Sequence, residues 1–448
     1  MSKLESKGLV PELRFSQFIG GTEWQKKPFN KLYTLKVTNS LSRDKLNYDD
    51  GLVKNIHYGD IHTKFSTLFD ITKEYVPFIN TEISLDKVKE ESYCQEGDMV
   101  FADASEDIDD VGKSIELINL NGEKLLSGLH TILARQKGSY LVKGFGGYLF
   151  KSEVIRKQIQ KESQGAKVLG ISGSRISNID VIYPIDHDEQ QKIADCLSSM
   201  DDLIETNSKK LELLKSHKKG LIQKLFPEEG KSVPELRFDS FEDEWIVRPL
   251  DTDIDVIDGD RGVNYPKQHD FSKSGYCLFL NAKNVTKTGF KFDEVQFVSK
   301  EKDEKLNKGK LTREDVILTT RGSVGQFAYY SEEVLFEHIR INSGMVILRS
   351  KNFEMISPSY LYIFSGSSFC SKQISNMAFG NAQQQLTVSG IKKMSLSFPK
   401  REEQKKIVDC ISSINILINR KTEKIETLKS YKKGLMQQLF PDIKESIA

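Results

Sequence analysis

Polar side chains that can pair with the hydrogen-bonding edges of nucleic-acid bases cluster in a few loop-like stretches of this chain. Residues 260–267 read Asp-Arg-Gly-Val-Asn-Tyr-Pro-Lys, a Gly- and Pro-containing run rich in side-chain donors. Arg321 stands between a strand-like run and a glycine turn, and Gln383–Gln385 follow Gly380 and Asn381. Arginine pairs with guanine, and Asn or Gln with adenine, through two hydrogen bonds in the major groove. These residues could therefore recognise a base sequence without any covalent step.

Comparable stretches occur in the first half of the chain, at residues 39–48 (NSLSRDKLNY) and 58–64 (YGDIHTK). Lysines in such loops contact phosphates, which position a protein on a duplex without specifying its sequence. For each residue the alternative is an ordinary solvated loop, because loops are generally polar. The candidate DNA-contacting residues are Arg43, Lys45, Asn47, Tyr48, His62, Lys64, Arg261, Asn264, Tyr265, Lys267, Lys283, Asn284, Arg321, Asn342, Gln383, Gln384 and Gln385.

Motifs that would give the chain a catalytic centre are missing from its sequence. It has no NPPY- or DPPY-type tetrapeptide of the kind used in adenine methylation and no GxxxxGK[ST] phosphate loop. Residues 144–147 (GFGG) lack the GxGxxG spacing of a cofactor loop and are interpreted as a turn. The seven histidines show no metal-ligand cluster, and the five cysteines have neither disulfide nor zinc spacing. We therefore expect a non-catalytic protein with no metal or cofactor of its own.

The elements that must position the polar loops are two copies of one long helix. Residues 189–227 and 403–441 align without a gap at an offset of 214 (403 − 189), and more than half of the positions are identical. Apolar residues alternate four and three apart, which places one apolar seam along a helix and is typical of a coiled coil. The alternative is a pair of amphipathic helices on a globular core. The predicted seam residues are Ile193, Leu197, Met200, Ile204, Leu211, Leu214, Ile407, Ile411, Ile414, Ile418, Ile425 and Leu428.

Each helix is the second part of a larger repeat. The hexapeptide VPELRF occurs at residues 10–15 and 233–238, each time followed by a tryptophan, and Pro227 and Pro441 end the helices. Between entrance and helix, β-rich runs alternate with turn residues, so the fold class is mixed α/β (α+β) with substantial sheet. The predicted strands include 99–101, 131–134, 316–319 and 345–348, and helical stretches are predicted near 152–162 and 358–375.

The two domains between the entrances and the helices differ far more than the helices do. Where the first has ADASED at residues 102–107, the second has TTRGSVG at residues 319–325. Near-identical helices joined to divergent domains indicate a constant frame that presents two different binding surfaces. The predicted boundaries are 1–185 for the first domain, 186–231 for the central helical region, 232–400 for the second domain and 401–448 for the distal helical region.

This pattern resembles the specificity subunit of type I restriction–modification systems over the whole chain. The resemblance is carried by VPELRF at both entrances and EQxKI…KKGLxQxLFP at both exits. The second domain is also similar to the family at residues 317–325 (ILTTRGSVG), 342–344 (NSG) and 380–386 (GNAQQQL), whereas the first has GAKVLG at 165–170 in place of the glutamine run. The resemblance implies two target recognition domains alternating with two long helices that form an antiparallel coiled coil, in a pseudo-twofold internal repeat.

The same resemblance implies a function and a set of partners. Each domain would recognise one half of a bipartite double-stranded DNA target, and the helices would dock two modification subunits, which are adenine-N6 methyltransferases. S-adenosylmethionine would be bound by those methyltransferases, and ATP and Mg²⁺ by the restriction subunits, which combine a helicase and a nuclease. A split site requires two domains at a fixed spacing of about one helical turn, 34–36 Å, or a multiple of it. Two long helices of fixed register would hold that spacing.

Composition excludes few alternatives. The 65 basic and 64 acidic residues give a net charge of +1, which is compatible with nucleic-acid binding if the charges are segregated by face. No run of 18 apolar residues occurs and the N-terminus lacks an apolar signal core, so we expect a cytoplasmic protein with no membrane partner. The alternative function is a non-catalytic coiled-coil scaffold with two protein-binding domains, against which a salt-dependent DNA affinity would count.

Overall fold

The computed structural model describes residues 9–165, 167–378 and 385–441. The chain divides into two compact units. Unit 1 contains the described parts of residues 1–208 and 424–448, and unit 2 contains those of residues 209–423. Each unit therefore holds one predicted domain and a portion of each long helix. The domain boundaries drawn from the sequence stay a prediction.

Unit 1 places short strands and short helices ahead of one long helix. Its strands are β1 (Gln25–Pro28), β2 (Tyr33–Lys36), β3 (Leu46–Asn47), β4 (Lys54–Ile56), β5 (Leu68–Asp70), β6 (Phe78–Ile79), β7 (Met99–Ala102), β8 (Ala104–Ser105), β9 (Ser114–Asn119), β10 (Leu125–Ser127), β11 (Thr131–Gln136), β12 (Leu169–Gly170) and β13 (Asp180–Tyr183). Its helices are α1 (Phe29–Leu32), α2 (Tyr58–Thr63), α3 (Phe145–Leu149), α4 (Glu153–Glu162), α5 (Gly173–Ile176) and α6 (His187–Leu225), the last of which continues into unit 2.

Unit 2 has the same kind of composition. Its strands are β14 (Ile246–Pro249), β15 (Ile254–Asp258), β16 (Cys277–Phe279), β17 (Val285–Thr286), β18 (Gly289–Phe290), β19 (Phe297–Val298), β20 (Val316–Thr319), β21 (Phe327–Tyr329), β22 (Ile339–Arg340), β23 (Met345–Ser350) and β24 (Ser395–Phe398). Its helices are α7 (Lys300–Lys305), α8 (Pro358–Phe364), α9 (Ser368–Ala378), α10 (Val388–Lys392) and α11 (Arg401–Leu439), whose end belongs to unit 1.

The main sheet of unit 1 has the strand order β2–β11–β7–β9–β5 and is antiparallel except for the parallel β5–β9 pair. A second sheet has the order β10–β4–β6–β3. Side chains along a strand point alternately to its two faces, and β7 is buried on both. Phe101 lies in the core that contains the start of α6, whereas Val100 lies in the core on the opposite face.

The main sheet of unit 2 is antiparallel, in the order β15–β23–β20–β21. Val316 and Leu318 lie in the core with Ile407 of α11, and Ile317 between them lies in a separate core on the other face. The strands predicted from β-rich runs are therefore present in both units. The helical stretch predicted near 358–375 is divided into α8 and α9 by a break that contains Gly366, a residue type that disfavours helix.

The ends of each domain meet at a pair of antiparallel strands. In unit 1, β1 pairs with β13, so that the strand after the entrance motif lies beside the strand that leads into α6. In unit 2, β14 pairs with β24 in the same way, ahead of α11. Each domain thus begins and ends at the base of its own long helix.

Both long helices are continuous over 39 residues, which corresponds to about 58 Å. Residues between the seam positions, such as Leu203 and Leu213, are 49% and 69% exposed. One side of each helix is therefore covered along its length. The buried seam residues are Ile193, Leu197, Met200, Leu211, Ile407, Ile411, Ile414 and Ile425, and the half-buried ones are Ile204, Leu214, Ile418 and Leu428. Within the described ranges, no helix is long and apolar enough to span a membrane.

Candidate nucleic-acid interface

The first turn of each long helix is joined to the entrance motif by a buried ion pair. The Arg14 Nε and Nη2 groups donate to the two carboxylate oxygens of Glu189 at 2.7 and 2.6 Å. Arg237 donates to Glu403 in the same manner at 2.9 and 2.8 Å. Both carboxylates are almost fully buried, and two parallel bonds fix the orientation of an arginine as well as its position. The arginine of VPELRF and the glutamate of EQxKI therefore form one structural device in each unit, which we call the entrance clamp.

The glutamine that follows the glutamate joins the helix to the domain. Gln190 is fully buried, donates to two backbone carbonyl oxygens and accepts from Val142 N at 2.8 Å. Gln404 makes the equivalent set of bonds and accepts from Ser357 N at 3.0 Å. Because every polar atom of these side chains is used, the domain has a fixed orientation on the start of its helix.

Three loops of unit 2 meet at one end of its main sheet. They are residues 259–267 after β15, 320–326 between β20 and β21, and 342–344 ahead of β23. Thr320 N donates to Gly344 O at 2.7 Å, which joins the second loop to the third. We call this group the unit 2 loop cluster. Its three loops contain the predicted contact residues Arg261, Arg321 and Asn342.

The first loop of the unit 2 loop cluster lies directly on the third. The Arg261 Nη2 group donates to Ser343 O at 3.2 Å, and Ser343 N donates to the Tyr265 hydroxyl at 3.4 Å. A Cβ atom on Gly259 would lie 2.3 Å from Asn342 O. Only glycine permits this approach of the two backbones.

Arg321 is an exposed cation of the unit 2 loop cluster. Within the described residues its guanidinium has no hydrogen bond or ion pair, while its backbone N–H donates to Gly344 O at 3.2 Å. Asn342 accepts from Gly344 N through Oδ1 at 2.8 Å. Lys267 is exposed on the first loop, and Asn264 donates to Lys305 O at 3.2 Å. A rigid backbone thus presents an arginine to solvent, as direct recognition of a base edge requires.

The predicted glutamine run falls largely outside the described residues. Gln383 and Gln384 lie in the gap between 378 and 385. Gln385 is half-buried, and the next residue, Leu386, donates its N–H to Thr320 O at 3.0 Å. Gln385 therefore lies beside the unit 2 loop cluster.

Two further predicted contacts of unit 2 have other partners. Asn284 is 1% exposed; its amide donates to Lys291 O and Glu294 O, and its Oδ1 accepts from Asn281 N. These hydrogen bonds stabilise the loop. Because the amide is buried and its donors and its oxygen already have partners, it has no free donor or acceptor with which to bind a base. We therefore leave Asn284 out of the proposed contact set. Lys283 remains exposed, in an ion pair of 2.6 Å with Glu294.

In unit 1 the predicted residues converge on a buried carboxylate. Asp60, in α2, is 1% exposed and binds Arg43 through both oxygens at 2.7 and 3.0 Å and Lys64 at 2.9 Å. The Tyr48 hydroxyl accepts from Arg43 and Lys64 at 3.3 and 3.1 Å. Burial alone would raise the pKa of Asp60, but the hydrogen bonds from the two cations hold that pKa below its usual value. This unit 1 cation cluster has two cations for one carboxylate.

An exposed aromatic side chain adjoins the unit 1 cation cluster. Tyr48 stacks on Tyr75 with ring centroids 4.4 Å apart, and Tyr75 is 69% exposed. Exposed aromatic faces beside cations are surfaces on which unstacked bases pack. Neither the central place of Asp60 in this cluster nor the exposure of Tyr75 was predicted from the sequence. The sequence shows that Tyr75 lies in a polar stretch, but this does not indicate whether its ring is exposed.

Of the remaining predicted residues of unit 1, Asn47 and His62 form hydrogen bonds within the domain. Asn47 accepts from Asp49 N and Asp50 N and donates to Asn80, so it holds its own turn. Its side chain is only half-buried, so Asn47 stays a predicted contact. His62 makes a 3.0 Å hydrogen bond with Ala104 O, and Lys45 is exposed.

Each unit fixes its own set of surface loops to a long helix whose sequence is shared with the other unit. Residues 60–216 and 243–429 match the family model described as type I restriction modification DNA specificity domain. These matches cover more than half of the chain, and the chain belongs to this family. It is a DNA-recognition subunit and does not itself catalyse a reaction, as the sequence analysis predicted.

Individual relatives agree with the family match. The type I restriction enzyme MjaVIII specificity subunit of Methanocaldococcus jannaschii is 26% identical over 306 residues, which is 65% of this chain and 69% of the relative. The type I restriction–modification S subunit from M. genitalium has a similar fold, with a TM-score of 0.56 at 14% identity, and the likeness covers 97% of this chain and 100% of that one. A chain from a structure describing complex assembly and conformational transition of the type I R-M system gives a TM-score of 0.58 at 14% identity, over 93% and 97% of the two chains.

Proposed function

We propose that the domain in each unit recognises one half of a bipartite double-stranded DNA target and that the two long helices pair as an antiparallel coiled coil, giving a pseudo-twofold repeat. The observation that carries the proposal is the duplicated entrance clamp. Arg14 with Glu189, and Arg237 with Glu403, fix two unlike sets of loops to two like helices. Two domains with different loops, each fixed in the same way to the start of a long helix, could bind two different half-sites at a constant spacing.

Contacts within the units support antiparallel pairing. In unit 1, Ile193 and Leu197 near the start of α6 share a core with Leu439 at the end of α11. Lys432 of α11 also forms an ion pair with Asp201 of α6. In unit 2, Leu225 near the end of α6 shares a core with Ile407 and Ile411 near the start of α11. Each unit thus joins the beginning of one helix to the end of the other.

The proposed protein partners are two modification subunits with methyltransferase activity and the restriction subunits with helicase and nuclease activity. Leu203 and Leu417 are 214 residues apart, and each is 49% exposed on its helix. Exposed apolar residues at equivalent positions suit the docking of two copies of one partner. S-adenosylmethionine would enter with the modification subunits and ATP and Mg²⁺ with the restriction subunits, in the cytoplasm where the DNA lies.

A domain exchange tests the proposal. Residues 30–180 would be replaced by the corresponding segment of another specificity subunit. This exchange leaves the residues of both entrance clamps in place. The DNA target of the assembled complex would then be determined. One half of the target should change while the other half and the spacing stay the same. A simultaneous change of both halves would contradict independent recognition. A DNA affinity that does not fall with salt would favour the protein scaffold, because phosphate contacts release counterions.

A further inference from the structure

A polar triad of the buried Tyr148, Asp201 and Lys432 joins the domain of unit 1 to the two long helices, and its carboxylate is partly exposed. The Tyr148 hydroxyl donates to Asp201 Oδ2 at 2.9 Å, and Lys432 Nζ forms an ion pair with Asp201 Oδ1. The amine of Lys432 also lies over the Tyr148 ring, 5.2 Å from its centroid. The Asp201 carboxylate is therefore the central acceptor, held by a tyrosine hydroxyl on one side and a lysine amine on the other.

Unit 2 keeps the lysine of this arrangement but lacks its carboxylate. Lys218 and Lys432 are equivalent in the helix repeat, and Asn415 occupies the position of Asp201 (201 + 214 = 415). The tyrosine is not repeated: Phe145 packs on Trp24 as Tyr360 packs on Trp245, so Ile363 stands at the place of Tyr148, and Tyr362 is its neighbour in the chain. A neutral amide has thus replaced the acid that pairs with the lysine in unit 1.

The change from acid to amide leaves Lys218 without the carboxylate that its counterpart in unit 1 has. Across the described ranges, no hydrogen bond or ion pair is made by the Lys218 amine, the Tyr362 hydroxyl or the Asn415 side chain. Burial lowers the pKa of the Lys218 amine. A half-buried amine without an acceptor is costly, and an anion beside it would remove that cost.

A pocket of about 280 Å³ opens at this position in unit 2. Lys218, Tyr362 and Asn415 all line it, together with Lys287. Among the described residues that line it there is no carboxylate. The apolar part of the wall comes from Ile222, Phe327, Ile363 and Ile411. The pocket therefore combines two cations, neutral hydrogen-bonding groups and an aliphatic wall.

We propose that this pocket binds a small carboxylate with a short aliphatic body. The ligand carboxylate takes the place that Asp201 holds in unit 1, accepting from the Lys218 amine and the Tyr362 hydroxyl. The aliphatic body packs against the isoleucines. Charge-assisted hydrogen bonds are stronger than neutral ones, and the amide of Asn415 donates where a second carboxylate would repel the ligand. The proposal is independent of DNA recognition.

Butyrate is the probe, titrated into the full chain at constant ionic strength and followed by saturation-transfer NMR and thermal unfolding. Saturable binding that raises the unfolding temperature is expected. Asn415→Asp supplies the carboxylate from the protein itself, so it should raise the unfolding temperature without ligand and weaken butyrate binding by at least about tenfold. Lys218→Met should also abolish binding.

Two controls isolate the site. Asp201→Asn makes the same exchange in unit 1 and should leave butyrate binding in unit 2 unchanged. Butylamine has the aliphatic body without the carboxylate and should not bind. The proposal is overturned if butyrate gives no saturable signal, if Asn415→Asp binds it as the unchanged chain does, or if butylamine binds equally well.

Discussion

Arg14 and Glu189 lie 175 residues apart in the chain and are joined by hydrogen bonds of 2.7 and 2.6 Å. The Trp24 indole N–H donates to the same carboxylate at 3.3 Å. In unit 2, Arg237 and Glu403 repeat the ion pair, but the Trp245 indole nitrogen has no hydrogen-bond partner among the described residues. The clamp, more than the tryptophan contact, is the feature common to both units. It explains why VPELRF and EQxKI occur together, twice.

Breaking the entrance clamp should destabilise unit 1 strongly. Glu189→Ala leaves the Arg14 guanidinium, whose side chain is 8% exposed, without its carboxylate, and the free energy of unfolding should fall by about 3 kcal/mol. Urea denaturation monitored by tryptophan fluorescence measures the change. Lys215→Ala is the control, because it breaks an exposed ion pair of 2.8 Å with Glu212 and should cost about 0.5 kcal/mol or less. Equal losses in the two variants would contradict the role of the clamp.

Gly259→Ala should disturb recognition by unit 2 alone. The added Cβ would lie 2.3 Å from Asn342 O. Because this clash can be relieved only if the backbone segments at Gly259 and Asn342 move apart, the unit 2 loop cluster should shift. The half-site recognised by unit 2 should lose specificity while the half-site recognised by unit 1 is kept. Binding to DNA with either half-site scrambled measures this. Gly220→Ala, where the added Cβ has no neighbour within 4 Å, serves as the control and should leave both half-sites unaffected.

Arg321 and Lys267 should contribute to DNA binding in different ways. Arg321→Ala removes a donor pair suited to one base, so discrimination at one position should fall by about 1–3 kcal/mol. Lys267→Ala removes a cation proposed to contact a phosphate, so affinity should fall about equally for all sequences and the salt slope should decrease by about 1. Fluorescence anisotropy at several salt concentrations, with single-base variants of the target, separates the two effects. A uniform loss for Arg321→Ala would show that it contacts phosphate.

Glu116 should make unit 1 less stable at higher pH. Its carboxyl is buried and accepts from Gly144 N and Gly147 N at 2.7 and 2.6 Å; burial nevertheless raises its pKa from 4.5 to about 7. Because the folded state holds the proton more tightly than the unfolded state, the stabilisation is complete below about pH 4.5 and is lost as the pH rises through about 7. The loss should reach about 3 kcal/mol. Glu116→Gln should flatten the pH dependence of the unfolding temperature between pH 4.5 and 8. An unchanged slope would show that another group causes the pH dependence.

The long helices and central strands could be predicted because periodicity reports which side of an element is covered. The apolar seam of α6 and α11 and the β-rich runs at 99–101 and 316–319 are of this kind. The role of a single polar residue could not be predicted. Asn284 and Arg321 both lie in polar loops, yet one has its amide saturated by backbone groups and the other faces solvent. Spacing along the chain does not identify partners that folding brings from elsewhere.

The most direct test of bipartite recognition is to co-express the chain with a modification subunit from the same family of systems and to sequence the cellular DNA for N6-methyladenine. Bipartite recognition predicts one split motif, with two short unlike halves separated by a gap of fixed length. Methylation at a continuous motif, or at halves separated by variable gaps, would contradict the fixed spacing set by the two helices. Exchange of residues 30–180 in the same assay should alter only one half.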